Sequence, residues 1–260
     1  MWEKELEVCK ETAIRAGKAI MEIYESDDGS EVTYKADESP LTKADRASNA
    51  IIVKELKEKF PEYAILSEEE KDDHARLANV FCFVVDPLDG TKEYVKRNGQ
   101  FTVNIALAKD HKSIMGVIYV PVTGELYYAS EGNGAFLSTP DGKTQKLQVS
   151  ENTDHTKLRA VMSSSHGAPE MEELIEKYQI KELVRIGSSL KGCMVAKGDA
   201  DIYFRHNPTM EWDTAAMQCI VEEAGGIFRQ MDDTEMRYNR ENSLNDKGFY
   251  AINREENRIR

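Results

Sequence analysis

A chain of 260 residues, 40% hydrophobic and 31% charged with the charge mixed in sign, is long enough for one large core or two fused halves, and this composition excludes disorder. A formal net charge of −13 and the lack of any basic stripe exclude a nucleic-acid polymer as the expected partner. No window has the apolar length of a membrane span, and Met1-Trp2-Glu3-Lys4-Glu5 lacks the basic start and apolar core of a secretory signal.

Leu6, Cys9, Ala13, Gly17, Ile20 and Tyr24 recur at spacings of three and four and predict an amphipathic first helix, ended by Asp27-Asp28-Gly29-Ser30. An extended piece follows from Val32 to Lys35. The loop Ser39-Pro40-Leu41-Thr42-Lys43-Ala44-Asp45 leads into a second helix, with Ala47, Ile51, Leu56 and Phe60 on its buried stripe and Pro61 as its stop. Ala64-Ile65-Leu66 reads as a short strand running into the acidic Ser67-Glu68-Glu69-Glu70. Val80-Phe81-Cys82-Phe83-Val84-Val85 is an unbroken apolar run, as in a strand covered on both faces, and it stops at Asp86-Pro87-Leu88-Asp89-Gly90-Thr91. Phe101 to Ala108, Ser113 to Val120 and Glu125 to Ala129 alternate with turn residues and predict an antiparallel meander. After Gly142, strands (158–162, 183–186, 201–204) alternate with helices (169–178, 190–196, 212–224), the last closed by Gly225-Gly226. The polar stretch Ser138–Thr156 marks the internal boundary, dividing an α+β half (1–150) from an α/β half (151–260). Cys9, Cys82, Cys193 and Cys219 sit far apart in apolar segments and read as reduced core thiols.

Three acidic groups stand at strand ends or a helix start: Glu68-Glu69, Asp86 with Asp89, and Asp213. Each alone has an ordinary reading: a solvated acidic turn, an Asp-Gly turn, and a helix N-cap or dipole partner. Together they supply the carboxylate oxygens that hard cations need, at positions where α/β folds place their sites. The hexapeptide Asp86–Thr91 is the most specific of them. A buried strand delivers Asp86, Pro87 fixes the chain direction and could hold the Leu88 carbonyl outward, and Asp89 follows within reach of the same ions. An acidic cleft that recruits Mg2+ also reconciles the negative charge with a phosphorylated substrate.

These segments resemble the signatures of the inositol monophosphatase superfamily. The Asp86–Thr91 stretch resembles its metal-binding signature; Glu211-Trp212-Asp213-Thr214-Ala215-Ala216 with Glu223-Ala224-Gly225-Gly226 resembles the second; Leu66-Ser67-Glu68-Glu69 resembles the third. All occur in the family order, and the resemblance runs from about Lys35 to Phe249. It implies a layered α/β/α/β/α sandwich, and Mg2+ held by Glu68, Asp86, Asp89, Asp213 and the Leu88 carbonyl. It also implies that Thr91, hydrogen-bonded to Asp45, positions an attacking water, with no protein nucleophile. The catalytic set is then Thr91, Asp45, Glu68 and Asp89.

Within the superfamily, Gly90-Thr91-Lys92-Glu93-Tyr94 and Arg97 through Ala106 are similar to CysQ-type 3'(2'),5'-bisphosphate nucleotidases. Gly187-Ser188-Ser189-Leu190-Lys191 resembles the nucleotidase segment in which a serine and a lysine hold the phosphate that is not cleaved; a surface helix position is the ordinary reading of Lys191. Arg205 stands where inositol phosphatases tend to place a glutamate, and its planar, permanently charged fork suits a second phosphate. His166 matches a Ser-x-Ser-His segment that approaches the nucleotide, with Ser164 where arginine is common. Gly90, Thr91, His166, Ser188, Lys191, Arg205 and Asp213 are the implied substrate contacts. The implied reaction is hydrolysis of adenosine 3',5'-bisphosphate to AMP and phosphate, lithium-sensitive and serving sulfur metabolism. An inositol or sugar phosphate phosphatase is the nearest alternative, and a catalytically silent nucleotide-binding protein a distant one. The expected partner is a small-molecule nucleotide, for a monomer or homodimer. The expected location is the cytoplasm, peripheral inner-membrane association being the alternative.

Overall fold

The computed structural model describes residues 2–26, 32–34, 40–164 and 169–259. Helix α1 (Glu3–Glu25) buries Cys9, Ala13, Gly17, Ile20 and Tyr24, as its spacing predicts. The residues expected to end it, 27–30, lie outside the described residues, as do Lys35 and Ser39. Strands β1 (Val32–Tyr34) and β2 (Pro40–Thr42) pair antiparallel and lead into α2 (Lys43–Lys59). The buried face of α2 differs from the expected stripe. Ala44, Ser48, Ile52 and Leu56 point inward, while Ala47 and Ile51 are only half-buried. The helix is rotated because its polar residues hold the neighbouring chain. Ser48 Oγ donates to the Pro87 carbonyl (2.6 Å), and Asn49 Oδ1 accepts from Ser67 Oγ (2.7 Å).

A seven-stranded sheet follows: β3 (Ala64–Ser67), β4 (Phe81–Asp89), β5 (Thr102–Lys109), β6 (Lys112–Val120), β7 (Glu125–Ser130), β8 (Gly134–Ser138) and β9 (Thr144–Lys146), in that spatial order. β3 and β4 are parallel and the rest antiparallel, so the predicted meander extends by two strands. A short helix, α3 (Thr91–Val95), separates β4 from β5. Both faces of the sheet are covered, which explains the unbroken apolar run in β4. Phe83, Val85, Val103, Ile105 and Val117 pack under α1 and α2, and Cys82, Val84, Ala106, Ala108 and Ile118 face the opposite layer.

The second sheet contains β10 (Arg159–Ser163), β11 (Glu182–Ile186), β12 (Ile202–Arg205), β14 (Ile227–Gln230) and β16 (Phe249–Ile252), in the order β11-β10-β12-β16-β14. The short strands β13 (Thr209–Met210) and β15 (Leu244–Asn245) pair beside it. Helix α4 (Pro169–Tyr178) covers its outer face through Met171 and Leu174, while α5 (Leu190–Lys197) and α6 (Glu211–Glu223) lie between the sheets. The result is the expected α/β/α/β/α layering. The central layer is tight: a Cβ on Gly116 of β6 would lie 2.4 Å from the Ala216 carbonyl oxygen, so only glycine lets α6 approach. All four cysteines are buried and free, as read from the sequence. No helix among the described residues is long and apolar enough to cross a membrane.

Candidate active site

The parallel pairing of β3 and β4 brings their carboxyl ends together. Glu68, the residue after β3, donates its N–H to the Val85 carbonyl (3.2 Å) and so stands next to Asp86. Asp86 and Asp89 are three residues apart and would point to opposite faces of a regular strand. The ladder pairs Asp86 with Asn104 and Asp89 with Thr102, two residues on β4 facing one on β5. This β-bulge at Pro87-Leu88 restores both carboxylates to one side. Asp213, the third residue of α6, arrives from the helix layer between the sheets and accepts the Met210 N–H (2.6 Å). Oxygens of Asp86, Asp89 and Asp213 all lie within 4.8 Å of one another.

Such a group resists ionisation. Burial, then repulsion by Glu68, Asp89, Asp213 and Asp45, holds the Asp86 carboxyl well above the usual range. Burial, then the Asp89 charge, pushes Asp213 up to about 7. A cation relieves both effects. A donor set made of carboxylate oxygens fits a hard divalent ion rather than a thiolate-seeking one.

Thr91 begins α3 just past the bulge. Its hydroxyl lies 3.1 Å from Asp45 Oδ1 and 3.3 Å from the Leu88 carbonyl. Asp45 also closes a capping box on α2, its Oδ2 accepting the Thr42 N–H (2.7 Å) and hydroxyl (2.5 Å). The ordinary reading of Asp45 as a helix-start residue and the Thr91 partnership therefore hold at once. Burial raises the Asp45 pKa, partly offset by the Thr42 hydrogen bonds. Gly90, at φ 94°, is required here: a Cβ would come within 3.0 Å of the Gln100 carbonyl oxygen.

The same open cleft is lined by Glu68, Asp89, Gly90, Thr91 and Asp213, and also by Ser188, Lys191 and Arg205. The ordinary reading of Lys191 as a surface residue does not hold. It is 5% exposed, Nζ donates to the Ser188 carbonyl (2.5 Å), and the ammonium lies over the Tyr203 ring (5.5 Å). Burial lowers its pKa to about 8. Ser188 has φ 48°, strained for a side chain, and its buried hydroxyl has no hydrogen-bond partner among the described residues. Arg205 reaches the cleft from the end of β12. His166 lies outside the described residues.

Sequence reasoning missed the residues that hold Asp89. Its Oδ2 accepts from the Ser189 N–H (2.7 Å), the Ser189 hydroxyl (2.7 Å), Asn104 Nδ2 (3.1 Å) and Thr102 Oγ1 (3.5 Å). Asn104 Nδ2 also reaches Ser189 Oγ (2.9 Å). Thr102, Asn104 and Ser189 are no more than 1% exposed. Polar residues spaced by two in the otherwise apolar β5 were the available signal.

The model of the inositol monophosphatase family matches residues 1–258. The chain belongs to the inositol monophosphatase family. Among curated relatives, it is 38% identical to the 3'(2'),5'-bisphosphate nucleotidase CysQ of Salmonella typhimurium over 94% of this chain and 97% of that one. It is likewise 38% identical to the CysQ of Buchnera aphidicola over 96% and 94%. Among solved structures of the family, CysQ from Bacteroides thetaiotaomicron superposes with a TM-score of 0.85 at 41% identity, covering 98% of this chain and 99% of that one. The extragenic suppressor protein suhB from Bartonella henselae superposes at 0.83 with 28% identity, covering 99% and 96%.

Proposed function

We propose that this phosphatase is a Mg2+-dependent 3'(2'),5'-bisphosphate nucleotidase that hydrolyses adenosine 3',5'-bisphosphate to AMP and phosphate. The observation that carries this reading is one cleft with two opposite chemistries: clustered carboxylates and a buried lysine with an arginine. A substrate with a single phosphate gives no reason to bury Lys191 at a depressed pKa. A substrate with a second phosphate does. The curated nucleotidase relatives support the same assignment.

In this reading Glu68, Asp86, Asp89, Asp213 and the Leu88 carbonyl hold the cations. When bound, these ions supply the acidity of the attacking water and the positive charge that phosphoryl transfer requires. Thr91 positions the water through its hydroxyl, and Asp45, fixed by Thr42, orients that hydroxyl by accepting from it. Ser188, Lys191 and Arg205 take the phosphate that stays, with Gly90 keeping the approach open. His166 is proposed as a nucleotide contact on its sequence match. The division into halves at 150/151 is proposed because the first sheet ends at Lys146 and the second begins at Arg159.

Phosphate release from adenosine 3',5'-bisphosphate and from inositol 1-phosphate, side by side in Mg2+ and then in EDTA, tests the reading. Faster nucleotide turnover, abolished by EDTA, supports it. Preference for the inositol ester would leave the metal site standing and remove the substrate assignment.

A further inference from the structure

Ser189 precedes α5 and occupies its N-cap, where a serine ordinarily accepts a hydrogen bond from its own helix. Here it makes no such cap. Both its hydroxyl and its N–H turn to Asp89 Oδ2, at 2.7 Å each. With Asn104 Nδ2 also bound there, three close donors occupy Oδ2, which leaves Oδ1 to ligate. The residue just before it, Ser188, is held at positive φ with an unpartnered buried hydroxyl in the cleft. The Ser188 carbonyl is in turn gripped by Lys191 Nζ (2.5 Å). One dipeptide therefore touches the metal-ligand side through one serine and the cationic side through the other.

We infer that Ser188-Ser189 is a relay coupling the two ends of the site: Ser189 is a positioning residue for the ligand Asp89, and capture of the retained phosphate by Ser188 and Lys191 tightens cation binding through it. This rests on the nucleotidase reading of the cleft. The physical route is short. A phosphate accepting from the Ser188 hydroxyl satisfies the orphan donor, and the three-donor ammonium of Lys191 can bind that phosphate while keeping its hold on the Ser188 carbonyl. The added tie fixes the 187–189 backbone, and the Ser189 N–H and hydroxyl carry that fixation to Asp89. Coupling of this kind is reciprocal, so the cation tightens the phosphate ligand by the same factor.

Mn2+ serves as the probe, its bound fraction read by electron paramagnetic resonance, with AMP supplying the retained 5'-phosphate. In the native chain AMP tightens Mn2+ binding by about fivefold or more. Ser189→Ala weakens Mn2+ binding without AMP by about tenfold or more and removes the AMP effect. Ser188→Ala leaves Mn2+ binding without AMP unchanged and also removes the AMP effect. Ser189→Cys, close in size but a weak donor, should follow Ser189→Ala if the alanine variant does not fold. Native Mn2+ affinity in the Ser189 variants overturns the inference, and so does an AMP effect that persists in Ser188→Ala. If the native chain binds Mn2+ and AMP independently, the coupling fails while the nucleotidase reading stands. If it binds Mn2+ but no AMP, both fail.

Discussion

Replacing Lys191 by methionine should make the protein more stable and a poorer nucleotidase. The ammonium is 5% exposed, and burial lowers its pKa from 10.5 to about 8. At about 1.4 kcal/mol per tenfold, the charge costs about 3 kcal/mol in the folded state at neutral pH. Methionine fills a similar volume and loses the hydrogen bond to the Ser188 carbonyl, worth about 1 kcal/mol net. The expected gain is about 2 kcal/mol, or about 4–8 °C in Tm for a chain of this size. The sign follows from the direction of the shift. The folded state holds the proton less tightly than the unfolded chain, so the cost is complete below about pH 8 and fades towards 10.5. The stability gain of the variant should therefore shrink as pH rises through that window. Thermal unfolding in EDTA at pH 7 and at pH 10 measures it. On the activity side, a charged hydrogen bond to phosphate is worth about 1.5–3 kcal/mol, so kcat/KM for adenosine 3',5'-bisphosphate should fall about 10- to 100-fold. Adenosine 3'-monophosphate, which lacks the second phosphate, should be hydrolysed as before. A variant that is less stable at pH 7, or that loses both substrates equally, refutes the reasoning.

Three further outcomes follow from the same geometry. In the native enzyme, KM for the bisphosphate should rise about tenfold for each pH unit above 8 as Lys191 loses its proton, with no such rise for the 3'-monophosphate; parallel profiles for the two substrates would contradict this. Asp86→Asn removes a buried charge facing four carboxylates, so turnover should fall by about three orders of magnitude, while Tm in EDTA rises and the Mg2+-induced Tm increase shrinks; calorimetry with and without Mg2+ reads it. Gly116→Ala should cost about 3 kcal/mol, the upper end for overpacking, because its methyl would meet the α6 backbone at Ala216 rather than a movable side chain; denaturant unfolding of this variant near the native midpoint would show that α6 can retreat.

The carboxylate cluster was legible where it is written in contiguous residues. Asp86–Thr91 and Glu211–Ala216 bring Asp86, Asp89 and Asp213 together because a strand end and a helix start fix their geometry locally. What stayed hidden depends on contacts between distant segments. Ser189 reads in the sequence only as part of the phosphate-holding segment 187–191, and its hydrogen bonds to Asp89, 100 residues away, appear only in the fold. The buried face of α2 was misplaced because apolar periodicity assumes that polar residues point out, whereas Asp45, Ser48 and Asn49 are held inside by partners on other elements. Strands β8, β9, β14 and β16 are short, and pairing rather than their own residues defines them. The α+β and α/β characters of the two halves were legible from the two alternation patterns, since a meander and a run of alternating strands and helices each admit few ways of covering a sheet, whereas the five-layer stacking was implied by the family resemblance.

The bulge in β4 has a consequence for how this site tolerates change. A regular strand would deliver two carboxylates to one side from positions two apart, with every backbone group engaged in the ladder. Here the spacing is three, and Pro87 and Leu88 have no ladder partner. The extra residue thus leaves the Leu88 carbonyl out of the ladder, with the Thr91 hydroxyl 3.3 Å from it, so four consecutive residues contain two kinds of oxygen. Deleting a single residue between Asp86 and Asp89 would leave the composition of the site almost intact and the strand regular. It would also withdraw that carbonyl into the sheet. Length at this one point, more than side-chain identity, sets how many oxygens the strand offers.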